Sequence, residues 1–451
     1  MRIFRKFYFI ETNRYKKEFH DIIGRDLKII MGMRRRKGDI TLKKAPGYFI
    51  WDNILAMSAY WACSGTIISS LSEYFGLSLA LSNLIIGFTT ILPIVQLAGG
   101  MAYGHAKNPL TFLRFSGGVW RIFMPFVFFS VLLPKSIGSI VMIISYMMAV
   151  GIYQYSASPQ ISWMSSCVDH QVSQSYYANR EMLFMAAYTV LFCVVSLTID
   201  RTQKSNSLKE GFIGIGIVIT ILMMASLIVL FKIPSPPTEP KKAPAFKELM
   251  EPFQDAVFRR VIICNMIWSV SYSFIGSFSS VYQVQVLKLS FILIMLWVTV
   301  SNIARTLFTP LMACLAKRIG WRNVTAFCAF IMSVSSVIWA ANTRENMSVM
   351  YPIAIIMSTI PYAGINVGFL NMQIMTSPEE SRSVYVSVLA LLNGVGALIG
   401  SLLCSFLLHK LETVSPSAPR LIFYAGTICT LAAMVAILRV SDKKKNREIK
   451  N

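Results

Sequence analysis

The stretch Lys232 to Arg260, KIPSPPTEPKKAPAFKELMEPFQDAVFRR, is the longest charged interruption between two long and similar runs of apolar segments. Its first half contains five prolines, which lack an N–H and fix φ, so no regular helix is predicted there. Its second half, Ala245 to Arg260, repeats apolar residues every three to four positions, which predicts a short amphipathic helix. We interpret the stretch as a connector that lies on the cytosolic membrane face and joins two membrane-embedded halves.

The composition is that of a membrane protein. Of the 451 residues, 55% are hydrophobic and only 14% are charged, and the mean hydropathy is +0.57. A soluble protein of this length has about 25% charged residues. A net charge of +22 would suggest a nucleic-acid partner in a soluble chain. Here the retention of Lys and Arg on the cytosolic side of a membrane explains it better, so no nucleic-acid partner is predicted.

Apolar segments long enough to cross a bilayer recur along the whole chain. A helical span needs about 20 mainly apolar residues. The sequence therefore predicts an all-α polytopic fold with both termini on the same side. The twelve predicted spans are Tyr48–Leu71, Ala80–Tyr103, Leu110–Leu133, Ile137–Ala157, Met182–Thr198, Phe212–Phe231, Val261–Val281, Phe291–Leu315, Val324–Ala341, Val349–Leu370, Val384–Leu408 and Leu421–Leu438.

The distribution of basic residues predicts the orientation. If both termini are inside, 33 of the 43 Lys and Arg residues fall in inner segments and 8 in outer segments. Only Arg121 and Arg305 fall within spans. Because cytoplasmic loops of membrane proteins are enriched in Lys and Arg, we predict a multi-pass protein of the cell membrane with both termini in the cytoplasm.

The two halves are repeats of each other. Four residues recur 212 positions later, two recur at a shift of 213, and a Ser-x-Ser-x-Tyr pattern recurs at 208. The order and the near-constant offset predict a duplication into two pseudo-symmetric six-helix bundles. The domains are predicted as a basic arm (1–46), a first bundle (47–231), the connector (232–260), a second bundle (261–438) and a basic tail (439–451). The repeated pairs are Asn53/Asn265, Tyr60/Tyr272, Leu77/Leu289, Ser78/Ser290, Gly151/Gly364 and Gln160/Gln373.

The N-terminal arm allows three interpretations. An apolar stripe from Phe19 to Ile30 with basic residues nearby is typical of a helix on an anionic lipid surface. The arm could equally be a frayed tail, or the chain could start at Met31 or Met33. No cleavable signal peptide is predicted. The eight cysteines show no metal-like spacing, and no phosphate-binding glycine loop is present, so neither a metal nor a cofactor is predicted.

The loop between predicted spans 8 and 9, Lys317-Arg318-Ile319-Gly320-Trp321-Arg322, resembles the loop signature of the major facilitator superfamily. Arg318, Gly320 and Arg322 match that signature, whereas Lys317 replaces its acidic residue and Trp321 one of its arginines. Twelve spans in two halves, inside termini and a long connector are also similar to this family. The resemblance implies that Lys317, Arg318, Gly320 and Arg322 form a cytosolic gating loop, although the matching first-half loop, 104–109, is degraded.

The resemblance also implies a monomeric carrier whose cavity is lined by spans 1, 4, 7 and 10. Aromatic rings with polar tips suit an organic solute, but they could equally serve packing or interface belts. The candidate substrate-binding residues on these spans are Tyr60, Trp61, Tyr153, Gln154, Trp268, Tyr272, Tyr362 and Asn366.

Ionisable groups inside spans are costly and are therefore functional candidates. Arg305 lies about 18 Å from Lys317 along a helix and shares a face with Asn302, so it is a candidate for binding an anionic substrate group. The alternative for Arg305 is a structural ion pair or a contact with backbone carbonyl groups. A structural role is favoured for Arg121. Asp52 is a carrier of a coupling proton, part of an ion pair near the cytosolic end of its span, or a solvated group at the membrane rim.

The sequence predicts a secondary transporter that moves a small organic solute by alternating access, with a proton or sodium ion as candidate coupling ions. It is not predicted to be an enzyme. Two rival functions stay open. One is a sensor or immunity protein that uses the carrier scaffold without transport, and the other is a membrane-embedded enzyme that handles lipids.

Overall fold

The computed structural model describes residues 40–91, 93–168, 173–236, 246–378, 382–414 and 418–440. Residues from Pro46 onward form one compact unit, and before it the structure describes only 40–45, the start of the helix that begins at Ile40. All regular secondary structure of the described residues is helical, which confirms the all-α prediction. The predicted stripe from Phe19 to Ile30 and most of the basic tail lie outside the described residues.

The first half contains nine helices among its described residues. A π-helical turn, Asn53–Met57, joins α1 to α2, and a 3₁₀ turn, Ser130–Leu132, extends α6. The nine helices are α1 (Ile40–Asp52), α2 (Ser58–Ala62), α3 (Thr66–Tyr74), α4 (Leu79–Ile91), α5 (Pro93–Gly104), α6 (Pro109–Phe129), α7 (Lys135–Cys167), α8 (Ser173–Lys204) and α9 (Leu208–Lys232).

The connector and the second half contain seven helices among their described residues. A second π-helical turn, Tyr282–Val286, extends the helix of span 7, and a 3₁₀ turn, Ala418–Arg420, precedes the last helix. The helices are α10 (Phe246–Gln254), α11 (Ala256–Val281), α12 (Phe291–Ile319), α13 (Trp321–Ala341), α14 (Met347–Thr376), α15 (Arg382–Glu412) and α16 (Leu421–Leu438).

The predicted spans agree with these helices. Among the described residues, 10 helices are long and apolar enough to cross a membrane, and α1–α2 together with α3 make an eleventh candidate. The remaining predicted span, Ala80–Tyr103, corresponds to the shorter α4 and α5. The predicted number of twelve is thus approximately supported. The predicted span Met182–Thr198 is shorter than its helix, α8, because polar residues continue the helix beyond the apolar core at both ends.

The first span is bent by 49° where α2 meets α3. Gly65 lies at this break with φ +55° and ψ −110°. This conformation is open to glycine because glycine has no Cβ, whereas it is strained for other residues. The bend is therefore encoded at a single position.

The connector helix differs from its prediction. The single helix predicted for Ala245 to Arg260 is wrong, because α10 ends at Gln254 and α11 begins at Ala256. The carboxylate of Asp255 accepts hydrogen bonds from the backbone N–H groups of Val257 (2.8 Å) and Phe258 (3.2 Å). An N-cap aspartate starts a new helix in this way, so the last predicted turn belongs to span 7.

Small residues bring α15 against α11. A Cβ built on Gly400 would lie 2.5 Å from the carbonyl oxygen of Val270, and one on Gly396 would lie 2.9 Å from that of Met266. Backbones of membrane helices approach closely where glycines face them. The Gly396-x-x-x-Gly400 run therefore serves close packing of two helices within the second half.

The repeat extends to the backbone conformation. Gly76 has φ +73°, and Lys288, which lies 212 positions later, has φ +55°. A non-glycine residue in this region costs about 1–2 kcal/mol. The two loops that precede α4 and α12 therefore share a positive φ at the same repeat position, although the second repeat has a lysine there.

We expect Gly400→Ala to lower the thermal unfolding midpoint of the purified protein, because the new Cβ would overlap a backbone carbonyl that cannot rotate away. The matched control is Gly214→Ala in α9, where no atom lies within 4 Å of the added Cβ. There the loss of chain freedom in the unfolded state should stabilise the protein by about 0.4–1 kcal/mol. Equal midpoints for the two variants would contradict the close packing.

Candidate functional site

An ion pair joins three spans of the first half. The guanidinium of Arg121 on α6 donates from Nη2 to both carboxylate oxygens of Asp52 at the end of α1, at 2.7 and 2.9 Å. Its Nε donates to the hydroxyl of Ser226 on α9 at 2.8 Å, and this hydroxyl donates to Asp52 at 2.6 Å. Arg121 is 4% exposed and Asp52 is 17% exposed. The structural role favoured for Arg121 therefore agrees with its contacts.

The remaining donor and one face of the guanidinium are also engaged. Arg121 Nη1 donates to the carbonyl oxygen of Gly117, and the cation lies 4.7 Å from the centroid of the Trp120 ring. These contacts fit the second interpretation of Asp52, an ion pair near one end of its span. A role of Asp52 in coupling stays a prediction.

The π-helical turn begins directly after this ion pair. Its first residue, Asn53, is 4% exposed and accepts a hydrogen bond of 2.6 Å from Arg180 on α8. The amide nitrogen of Asn53 and Nε of Arg180 are buried and have no hydrogen-bond partner. Single π turns are frequent at functional sites. Two side chains with unused N–H donors, Asn53 of this turn and Arg180 of α8, therefore line the same place as Asp52.

A cavity of about 260 Å³ opens at this place in the first half. Two predicted residues, Trp61 and Tyr153, contribute to its wall, together with Asp52. Trp61 is 50% exposed, so its ring is accessible. Other polar or aromatic residues of the wall are Phe49, Asn53, Trp120, Arg121, Ser156, Gln160, Arg180, Glu181 and Phe184.

Two predicted binding residues of this half lie behind the wall. Tyr60 is 3% exposed and packs its ring 4.7 Å from that of Tyr153 and 6.0 Å from that of Trp120. Gln154 is 8% exposed and accepts a hydrogen bond of 2.6 Å from Gln96 on α5. Both side chains support the cavity from behind.

A second cavity, of about 320 Å³, lies in the second half. All four predicted residues of spans 7 and 10 line it: Trp268, Tyr272, Tyr362 and Asn366. The rings of Tyr272 and Tyr362 stack at 4.8 Å, and those of Trp268 and Tyr272 at 6.0 Å. Further lining residues are Asn265, Ser269, Ser273, Phe369, Gln373 and Asn393.

Arg305 stands behind this stack of rings. Its guanidinium carbon lies 5.6 Å from the centroid of the Tyr362 ring, on the side of α12. Among the described residues, no carboxylate lies within 4.0 Å of Arg305. Asn302 is half-buried one turn earlier on the same helix. The structural ion pair considered for Arg305 is thus not seen in the described part of the chain, and its cation faces an aromatic ring instead.

The two cavities are related by the sequence repeat. Asn53 and Gln160 line the first, and their repeat partners Asn265 and Gln373 line the second. The amide nitrogens of Asn53 and Asn265 are both buried without a partner. Sequence reasoning used these residues only as markers of the duplication. Polar residues that recur at the same position of both halves are a signal that could have identified them as lining residues.

The architecture is similar to that of solved transporters. A mutant form of the nucleoside transporter NupG has a TM-score of 0.70 at 11% identity, with 88% of this chain and 100% of that chain covered. A bacterial homologue of the iron transporter ferroportin, in an inward-facing state, scores 0.65 at 14% identity over 88% and 98%. A D-xylose-proton symporter scores 0.62 at 14% identity over 89% and 97%. At such identities the likeness concerns the fold.

The sequence itself adds the family. A profile described as Major Facilitator Superfamily matches residues 285–451. This match covers the last 167 of the 451 residues, so over that part the chain resembles the major facilitator superfamily. The partial match, the fold and the 10 or 11 candidate spans among the described residues indicate a multi-pass membrane protein. No curated protein matches the sequence of this chain.

The superfamily loop after α12 binds within its own half. Gly320 separates α12 from α13 with φ +84°. Arg322 donates to the carbonyl oxygen of Val440 at 3.3 Å, while Arg318 is exposed. The side chain of Lys317 lies outside the described residues. A gating role of this loop stays a prediction, and the contact of Arg322 ties the loop to the end of α16.

We expect Asp52→Ala to lower stability by about 3–5 kcal/mol, because it leaves a buried guanidinium without its carboxylate. Thermal unfolding of the purified protein measures the loss. The double variant Asp52→Leu with Arg121→Met should recover most of it, since apolar residues of similar volume replace a buried pair at little cost. A double variant as unstable as Asp52→Ala would show that the ion pair itself is not what Arg121 requires.

Proposed function

We propose that the protein is a secondary transporter that moves a small organic solute across the cell membrane by alternating access. One observation carries the proposal: each six-helix half contributes a cavity, and the same repeat-related asparagine and glutamine line both. A binding site between two such halves can be presented to one side of the membrane at a time when the halves rock against each other.

The residues that line the second cavity favour a solute with a flat or apolar face and an electron-rich group. Stacked rings offer faces for a planar or sugar-like ring, and amides offer donors. Arg305 lies behind the outermost ring, and no described carboxylate neutralises it. An anionic group on the solute would supply that charge. The nucleoside transporter and the xylose symporter, to which the fold is similar, are named for ring-shaped solutes.

The cavities support an inward-facing state. In the first half the wall combines Trp120 and Arg121 of span 3 with residues from the start of span 1, the end of span 4 and the start of span 5. These ends are the predicted cytoplasmic ones. The described hydrogen bonds and ion pairs between the two halves cluster at the other ends, around Leu79, Gln285 and Phe291. We propose that the protein works as a monomer with both termini in the cytoplasm.

We expect Arg305→Ala to reduce transport of an anionic solute more than tenfold without loss of expression. A thermal-shift screen of xylose, xylonate, uridine and uridine monophosphate selects the probe, and counterflow in proteoliposomes measures transport. Arg305→Lys keeps the charge but loses the planar stack on Tyr362, so it should be intermediate. The control is Arg439→Ala, an exposed arginine directly after α16. If Arg305→Ala transports the anionic probe like the parent protein, the anion hypothesis is wrong.

We expect tags at either end of the chain to be protected from an impermeant label in intact cells and labelled after permeabilisation. The positive-inside distribution of basic residues is the reason. A cysteine introduced at Ser136, which is exposed in the first turn of α7, serves as the opposite control and should react in intact cells. Labelling of one terminus from outside would overturn the proposed topology.

A further inference from the structure

At their predicted outer ends, the two halves meet through a carboxylate that completes a helix of the other half. Asp200, near the end of α8 in the first half, is 5% exposed. Its two oxygens accept hydrogen bonds from the backbone N–H groups of Phe291 (2.8 Å) and Ile292 (2.9 Å), which open α12. The first N–H groups of a helix have no acceptor within the helix and form its positive end. Asp200 therefore caps a helix across the domain boundary.

A second contact runs in the opposite direction. Glu412 is the last residue of α15 in the second half and is half-buried. Its carboxylate accepts a hydrogen bond of 2.7 Å from the backbone N–H of Leu79, the first residue of α4 in the first half. Each half thus gives one carboxylate to the other and receives one.

The two contacts are copies of each other in the repeat. Glu412 follows Asp200 by 212 positions, and Phe291 follows Leu79 by 212. This is the offset that predicts the duplication. Both contacts therefore join a carboxylate of one half to the N-terminus of a helix in the other half, at equivalent positions of the repeat. This indicates that the contact is a feature of the repeated fold and not of one local packing arrangement.

The helices that receive the carboxylates also have matching caps of their own. The hydroxyl of Ser78 accepts from the N–H of Leu81 at 3.2 Å, and that of Ser290 accepts from the N–H of Leu293 at 3.3 Å. Serine is a preferred N-cap residue because its side chain binds an N–H of the first turn. The serine and the carboxylate of the other half accept from different N–H groups. The N–H groups of the first turn are therefore hydrogen-bonded by residues from both halves.

We infer that Asp200 and Glu412, here called the interdomain caps, hold the predicted outer side closed, and that both must release before the protein opens on that side. The inference rests on the proposed alternating access. Hydrogen bonds to an ionised carboxylate are roughly twice as strong as neutral ones. Water replaces the helix N–H groups as partners once the outer side opens, so the caps set the ratio of the two states.

The other outer contacts are weaker or one-sided. The amide of Gln285 donates to the carbonyl oxygen of Ser69 and to the hydroxyl of Ser82, both at 3.0 Å. Lys288 pairs with Glu73, but their side chains are 44% and 36% exposed. The pKa of Lys288 is lowered mainly by its partial burial and to a smaller extent by the nearby Arg344 guanidinium. An exposed pair of this kind contributes at most about 1 kcal/mol. The caps are therefore the stronger candidates for control.

Hydrogen–deuterium exchange of the full-length protein in lipid nanodiscs tests the caps without any substrate. We expect Asp200→Ala and Glu412→Ala each to shift the ratio of inward- to outward-open states about tenfold, which corresponds to about 1.4 kcal/mol. Backbone amides of residues 66–82 and 282–293 should then exchange faster, and amides of residues 158–167 and 366–376, near the cavities, should exchange more slowly. The double variant should shift the ratio about a hundredfold, because the two caps share no partner.

Asp255→Ala is the matched control. Asp255 caps α11 from within the connector, so its loss removes a cap of the same chemistry that does not join the two halves. Faster exchange should be confined to the first turn of α11. The milder variants Asp200→Asn and Glu412→Gln keep an acceptor oxygen without the charge and should give smaller shifts in the same directions, even if an alanine variant fails to fold.

Slower exchange of the amides near the cavities distinguishes a shift between the two states from a purely local effect on helix ends. If exchange rises only in the first turns of α4 and α12 while residues 158–167 and 366–376 are unchanged, the caps stabilise helix ends alone and the inference is wrong. If the exchange changes as expected but no solute shows counterflow, the interdomain caps stand and the proposed transport function fails. The two claims can therefore fail separately.

Discussion

Hydrocarbon offers no hydrogen-bond partner, so a charged group inside the membrane must be satisfied by the protein itself. Arg121 meets this requirement with all three of its nitrogens: Nη2 donates to Asp52, Nε to Ser226 and Nη1 to Gly117, and the Trp120 ring lies over one face. The network ties spans 1, 3 and 6 together. The π-helical turn begins directly after Asp52, and Asp52 and Arg121 both contribute to the wall of the first cavity. The ion pair therefore fixes the position of both features.

The scaffold is symmetric but its charges are not. At 212 positions after Asp52 stands Cys264, and at the same distance after Arg121 stands Ser333. Arg305 has Pro93 as its counterpart. The neutral amides that line the cavities are shared by both halves, whereas each arginine belongs to one. A solute between the halves would therefore meet an internally neutralised pair on one side and a cation covered by an aromatic ring on the other.

Features that depend on spacing along one helix could be predicted from the sequence. The spans and the duplication are of this kind, because apolar segments and repeat offsets are visible along the chain itself. The four lining residues of spans 7 and 10 are predicted from the resemblance to the superfamily, which implies that these spans line a cavity. Features that depend on the distance between helices could not. Tyr60 and Gln154 lie on the expected spans, yet neighbours from α6 and α5 cover them. The pairing of Asp52 with Arg121 joins residues far apart in the chain, and no periodicity within either helix indicates it.

The break at Gly65 limits how this position can vary during evolution. Space is not the obstacle, since a Cβ there would meet its nearest neighbour, the Ser280 hydroxyl, at an ordinary 3.4 Å. The obstacle is the torsion itself, which every other amino acid adopts only under strain. No amino-acid replacement at this codon is then neutral for the fold, however small the new side chain. Homologous genes that keep the angle between the two parts of span 1 should keep glycine here even where the surrounding residues have drifted.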